Sequence, residues 1–114
     1  MAVQPVAFTS TPLQLTGSAT VFYTVPSSPA AVLLIGGRVR FTNTDSSTRS
    51  VTAYAVPNGS SVGASTAFMN AEGIAANAHV DVDLPVIGAG GTYQALADVT
   101  AKVTVLQLGG ALVS

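Results

Sequence analysis

A chain of 114 residues without cysteine has the length of one domain and can bury a core unaided; it excludes a disulfide framework and thiolate metal sites. Charged side chains make up 8% of the residues, against about 25% in an ordinary soluble domain. A net charge of −1 with four Lys/Arg excludes the concentrated basic face that phosphate binding requires, so no nucleic-acid partner is expected.

At 11.4 kDa a monomer should expose roughly 5,800 Å², served here by nine ionised side chains. Such an exterior is either apolar and partly covered by other protein, or coated with neutral Ser, Thr, Asn and Gln as in some secreted binding modules. Near-zero net charge and apolar patches both promote self-contact, which favours the first reading. The longest strongly apolar run, residues 30–37, is far short of the ~20 residues of a bilayer-spanning helix, so no membrane partner is expected. The first basic residue is Arg38, so the amino terminus lacks the positive flank of a secretory signal, and cytosolic synthesis is expected.

Gly, Pro, Asn and Ser clusters punctuate the chain at short intervals, with β-branched and aromatic residues between them. This predicts an all-β fold: a single antiparallel β-sandwich, jelly-roll or Ig-like Greek key, of about seven to eight strands. Residues 1–114 read as one domain, with residues 1–15 as a candidate extended arm. Thr20–Val25 is a strand ended by Pro26. Ala31–Asn43 reads as one long strand bent at Gly36-Gly37. Its second half alternates, Val39 and Phe41 to one side and Arg38, Arg40 and Thr42 to the other. Its first half, Val32 to Ile35, is apolar on both faces and must be covered twice. The polar loop 43–48 predicts a hairpin that returns as Arg49–Val56, stopped by Pro57-Asn58-Gly59.

Residues 60–65 read as an exposed loop, and Ala67–Ile74 as a short irregular strand, although Phe68, Met69 and Ala71 would also suit a helix. After a turn at 75–78, His79–Leu84 alternates, with Val80, Val82 and Leu84 inward. Gly88–Gly91 reads as a hairpin turn into Thr92–Ala97, followed by a strand over Ala101–Leu108.

Little here can carry chemistry. His79 is the only histidine, so no histidine pair or triad exists, and a metal at His79 and Asp81 would lack further ligands. Asp81 and Asp83 share a strand face and could hold calcium only if loop carbonyls joined them. Pairing across strands with Arg38 and Arg40, which share a face in the same way, explains them more simply; across a subunit boundary the same four charges would fix register. Asp45, Glu72 and Asp98 fall in or near turns, where Asp is common, and the serines lack a base and a nucleophile elbow. The glycines at 88–91 precede a strand, not the helix N-terminus of a phosphate cradle. No enzyme activity, cofactor or small-molecule substrate is expected. Asn58-Gly59-Ser60 matches the glycosylation tripeptide, and Tyr23, Tyr54 and Tyr93 would form a sugar-stacking platform if they shared a face.

The order Thr20–Pro26, an apolar strand ending Arg40-Phe41-Thr42-Asn43-Thr44, Val51–Pro57, then Ile74–Asn77 leading into Val80–Leu84, with Tyr93-Gln94-Ala95 and Val103-Thr104-Val105 beyond, resembles small β-sandwich virion proteins of tailed bacteriophages. The resemblance spans Thr20 to Val105. It implies a structural component of the virion: a capsid decoration or cement protein that binds across capsomers, with a homo-oligomer and the major capsid protein as partners, or else a tail- or fibre-associated module that touches tail proteins or a host glycan. The double glycine and the apolar carboxyl-terminal segment depart from the pattern and leave head and tail both open. The contact surface expected on this reading comprises Val3, Val6, Phe8 and Leu13 in the arm Ala2–Leu15, Val32 and Leu34, the charged set Arg38, Arg40, Asp81 and Asp83, and Leu112 and Val113 in the tail Ala111–Val113.

Overall fold

The computed structural model describes the backbone of Val3–Pro5 and residues 13–27 and 33–113. Within them are nine strands: β1 (Val3–Pro5), β2 (Leu13–Gln14), β3 (Thr20–Thr24), β4 (Leu33–Asn43), β5 (Arg49–Val56), β6 (Ala67–Ile74), β7 (His79–Asp83), β8 (Thr92–Ala97) and β9 (Val103–Val113). One sheet has the order β1-β9-β4-β7, with β2 also on β9; the other has the order β3-β8-β5-β6.

The antiparallel pairs nest. β1 and β2 pair with β9, β3 with β8, β4 with β7 and β5 with β6. This is one long hairpin with its tip at residues 57–66, rolled so that β9 also meets β4 and β8 also meets β5. Counting β1 and β2 together, since both pair with β9, gives the eight-stranded jelly roll, the first of the two sandwich topologies that the sequence allows.

The expected hairpin between β4 and β5 does not form, because the two strands lie in different sheets. Their apolar residues, Val39 and Phe41 on β4 and Val51 and Ala53 on β5, are all fully buried in the common core. The corner is made by Asn43, which among the described residues is the one buried residue classed as polar or charged. Its Nδ2 donates to the carbonyls of Ser47 (2.9 Å), Ile74 (2.9 Å) and Ala75 (3.2 Å), and its Oδ1 accepts from the Asp45 N–H (2.9 Å). The amide thus holds the turn in place of the strand pairing that a hairpin would supply. Gly88–Gly91 is likewise no hairpin turn. It carries the chain from β7 in one sheet to β8 in the other, with Gly90 at φ +81 and its N–H donating to the Val25 carbonyl at 2.9 Å. The irregular strand expected at Ala67–Ile74 is β6, whose pairing with β5 shifts register twice and whose Ala71 adopts a left-handed φ of +48.

Tyr93, Phe41, Leu15 and Leu34 are the largest fully buried side chains. Phe22 meets Phe41 edge-on with centroids 6.2 Å apart, and Tyr93 at 6.2 Å. Each such aromatic pair adds about 0.5–1.5 kcal/mol beyond the area it buries.

β4 and β9 each change phase once. Inward residues of β4 are Leu34 before the glycines and Val39, Phe41 and Asn43 after them; on β9, Val103 and Val105 are buried, while Leu112 packs on the core from beyond Gly109-Gly110. The register shows one extra residue on β4 at Gly36-Gly37 and one on β9 at Leu108. The two insertions offset each other, so both strands stay paired and both turn their apolar side inward on either side of the bend. Gly36 takes φ +66 and Gly110 φ +143. A Cβ on Gly110 would lie 3.1 Å from the Gly37 Cα and 2.9 Å from the Leu34 Cδ1, which only glycine avoids.

Candidate interaction surface

Nine ionised side chains share a folded surface of 5777 Å², and most of them neutralise one another. On the outer face of the first sheet, Arg38 stands opposite Asp83 and Arg40 opposite Asp81 across the β4–β7 ladder. Arg40 grips Asp81 with two hydrogen bonds, Nε to Oδ1 at 2.7 Å and Nη2 to Oδ2 at 3.1 Å. Arg38 and Asp83 approach more loosely, at 3.8 Å. The hydrogen bond from Arg40 holds the Asp81 carboxyl below its usual pKa, and the same bond raises that of the guanidinium. Exposed pairs of this kind contribute little stability; what they fix is the register of β7 on β4.

A second network sits at the opposite end of these strands. Arg49, at the start of β5, donates from Nε to Asp45 Oδ2 at 2.7 Å and approaches Asp98 at 3.6 Å. The Arg49 bond and the Ser46 N–H lower the pKa of Asp45, pinning the corner that Asn43 makes. Seven of the nine ionised side chains are therefore paired, leaving Glu72 and Lys102 outside these contacts.

Beyond the Arg38–Asp83 pair, the other end of the sandwich carries no ionisable side chain among the described residues: segments 25–27, 33–37, 56–66, 84–92 and 108–113 have none. Among the described residues, four of the five exposed large apolar side chains lie in them, Ile35 (42%), Leu108 (41%), Val62 (40%) and Val86 (52%); the fifth, Val21 (44%), is on β3. The sheet edges are blunted. β1 is three residues long and ends in Pro5, β3 has a register shift between Val21 and Tyr23, β6 is broken at Ala71, and β7 carries the aspartates. These devices discourage edge-to-edge strand addition and leave the faces and the neutral end for contact.

The residues expected at a contact surface separate accordingly. Val6, Phe8 and Val32 lie outside the described residues, as does Ala2. Val3 pairs through its backbone with Val113 of β9. Leu13 pairs with Val105 and packs on the core, and Leu15 is fully buried, so this part of the arm belongs to the sandwich. Leu34 is corrected from surface to core, because the phase change at the glycines turns it inward, and Leu112 packs on the core opposite it. The exposed residues of this region are Ile35, within the stretch apolar on both faces, and Leu108; the sequence signal for Leu108 is the second glycine pair, Gly109-Gly110, facing Gly36-Gly37. Arg38, Arg40, Asp81 and Asp83 pair with each other inside one chain.

The tyrosines do not share a face. Tyr93 is fully buried with its hydroxyl donating to the Pro85 carbonyl, and burial pushes its pKa up. Tyr23 packs beside it at 6.3 Å. Tyr54 is adjacent in the β5–β8 ladder to Gln94, which alternates with Tyr93 and so points to the opposite side. The sugar-stacking platform is thereby excluded. His79 is exposed at the start of β7, and among the described residues no cluster of three or more His, Asp or Glu could hold a metal ion.

No family model matches the chain, and no curated protein matches it. Among solved structures, a chain in the structure of infectious bursal disease virus, Gx strain, superposes with a TM-score of 0.58 at 14% identity, over 97% of this chain and 32% of that one. This chain thus spans about a third of the protein it resembles, and the likeness is one of fold.

Proposed function

We propose that this protein is a non-catalytic structural component of a virus particle. One observation carries the proposal: the whole jelly roll, not a fragment of it, superposes on part of a chain from a virus structure. The neutral, apolar end supports the same reading, since a surface with so few free charges is suited to lie against protein. In its finer form the proposal is a decoration or cement role, in which the chain binds across capsomers, adds buried area to the shell and is made in the cytoplasm of the host. The neighbour does not come from a tailed bacteriophage, so the phage assignment rests on the sequence resemblance alone.

The test is mass spectrometry of purified particles of the encoding virus, with co-sedimentation of the purified chain on particles that lack it. Stoichiometric incorporation is expected, together with greater resistance of the shell to heat when the chain is bound. Absence of the chain from purified particles overturns the proposal. Incorporation without any change in shell stability removes the cement role.

A further inference from the structure

We infer that Asn58-Gly59, at the uncharged end of the sandwich, is a site of spontaneous deamidation that places a carboxylate where the folded chain has none. The peptide nitrogen that follows an asparagine can attack the asparagine Cγ and close a five-membered ring. It must first lose its proton and turn toward the side chain, so a hydrogen bond from that N–H holds the reaction back. The chain has four asparagines. The Thr44 N–H, after Asn43, donates to the Lys102 carbonyl at 2.8 Å, and the Ala78 N–H, after Asn77, donates to the Ala75 carbonyl at 3.1 Å. The Ala71 N–H, after Asn70, donates to Thr52 Oγ1 at 3.0 Å. Only the Gly59 N–H, of these four, has no acceptor among the described residues.

The turn after β5 is what frees it. The Ser60 N–H donates to the Pro57 carbonyl at 2.9 Å, with Gly59 at φ +86, the position that a type II turn reserves for glycine. The turn's own bond uses the Ser60 nitrogen and leaves the Gly59 nitrogen over. Residues 57–60 are exposed, and a Cβ on Gly59 would meet nothing within 4 Å. Water therefore reaches this peptide, and no packed neighbour among the described residues opposes its rotation.

In the reaction the Gly59 nitrogen gives its proton to water or hydroxide and bonds to Asn58 Cγ. The Cγ–Nδ2 bond breaks, and ammonia leaves with a proton taken from solvent. Water then adds to either carbonyl of the succinimide, and ring opening leaves an aspartyl or an isoaspartyl residue at position 58. The balance is one water consumed and one ammonia released, with no oxidant or cofactor. Either product adds one negative charge, taking the net charge from −1 to −2, and it is the first charge in segments 56–66 and 84–92. A Cβ on Gly90 would lie 3.0 Å from both Cγ and Nδ2 of Asn58, so the amide rests on the bare backbone of the crossing from β7 to β8. The isoaspartyl product lengthens the backbone by a methylene and withdraws the carboxylate from that seat. Val62 and Val86, exposed in the same two segments, then share their surface with a charge, which opposes apolar contact with another protein. The reaction goes beyond the virion reading and does not depend on it.

The test is to age the purified full chain in mildly alkaline buffer and follow it by ion exchange and fragmentation mass spectrometry. The chain is expected to shift to a form richer by one negative charge, with the change at position 58 and the product open to methylation by an isoaspartyl methyltransferase. Conversion should quicken as the pH rises, because the attacking nitrogen must ionise. Asn43, Asn70 and Asn77 should stay intact while the fold persists and react several-fold faster in denaturant, whereas the rate at Asn58, already free, should change little. Asn58→Gln, whose longer side chain can close only a six-membered ring, should keep its charge on ageing. An amide that survives at position 58, a rate at Asn58 that rises several-fold on unfolding, or the same acidic form from Asn58→Gln overturns the inference.

Discussion

Removing the Asn43 side chain is the sharpest test of how this chain turns between its sheets. Asn43→Ala deletes a fully buried amide that satisfies three carbonyls and one N–H in the corner between β4 and β5. With two amide hydrogens shared among three acceptors, one bond is bifurcated, so the site counts as about three net hydrogen bonds. At about 1 kcal/mol each, the loss comes to about 3 kcal/mol. For a domain of this size, with an unfolding entropy of about 0.24 kcal/mol/K, that lowers Tm by about 12 °C. Asn43→Asp keeps the acceptor for the Asp45 N–H but places a carboxylate among carbonyls and should cost more. The assay is thermal unfolding followed by circular dichroism, with calorimetry to check two-state behaviour. A fall in Tm below about 4 °C for Asn43→Ala would refute the claim that this amide makes the corner.

Two other outcomes follow from the geometry. Gly110→Ala, at φ +143 and 3.1 Å from the Gly37 Cα, should destabilise by about 1–3 kcal/mol in chemical denaturation, whereas Gly17→Ala, with open space around it and no positive φ, should change stability by less than about 0.5 kcal/mol; equal effects would show that the paired bulges are not tightly packed. Asp45 and Asp81 have lowered pKa values through Arg49 and Arg40, so their contribution is fully present above the unfolded value of about 4 and is lost as the pH falls through the lower folded values. Denaturation midpoints should therefore hold steady from pH 7 to about 5 and decline below about 4, a decline that Arg40→Gln together with Arg49→Gln makes shallower.

Period-two alternation and turn chemistry determined much of the molecule without any tertiary information. The all-β sandwich, the limits of β5 at Arg49 and Val56, the strand identity of Ala67–Ile74, and the Arg38/Arg40 pairing with Asp81/Asp83 were all legible, because side-chain period and strand-breaking residues act locally. Only the tertiary structure decided which strands are neighbours. Asn43 to Thr48 has the composition of a hairpin loop, and nothing in that stretch encodes the carbonyls of Ile74 and Ala75, some thirty residues away, that hold Asn43 in a crossing between sheets. Leu34 faces the core for the same kind of reason: a lone glycine pair signals a bulge, but which way it turns the preceding residues depends on the matching insertion at Leu108 on a strand seventy residues later. Local free energies set where strands lie along the chain; contacts between distant segments set which side of each strand meets the core, and with it which residues remain for another molecule to touch.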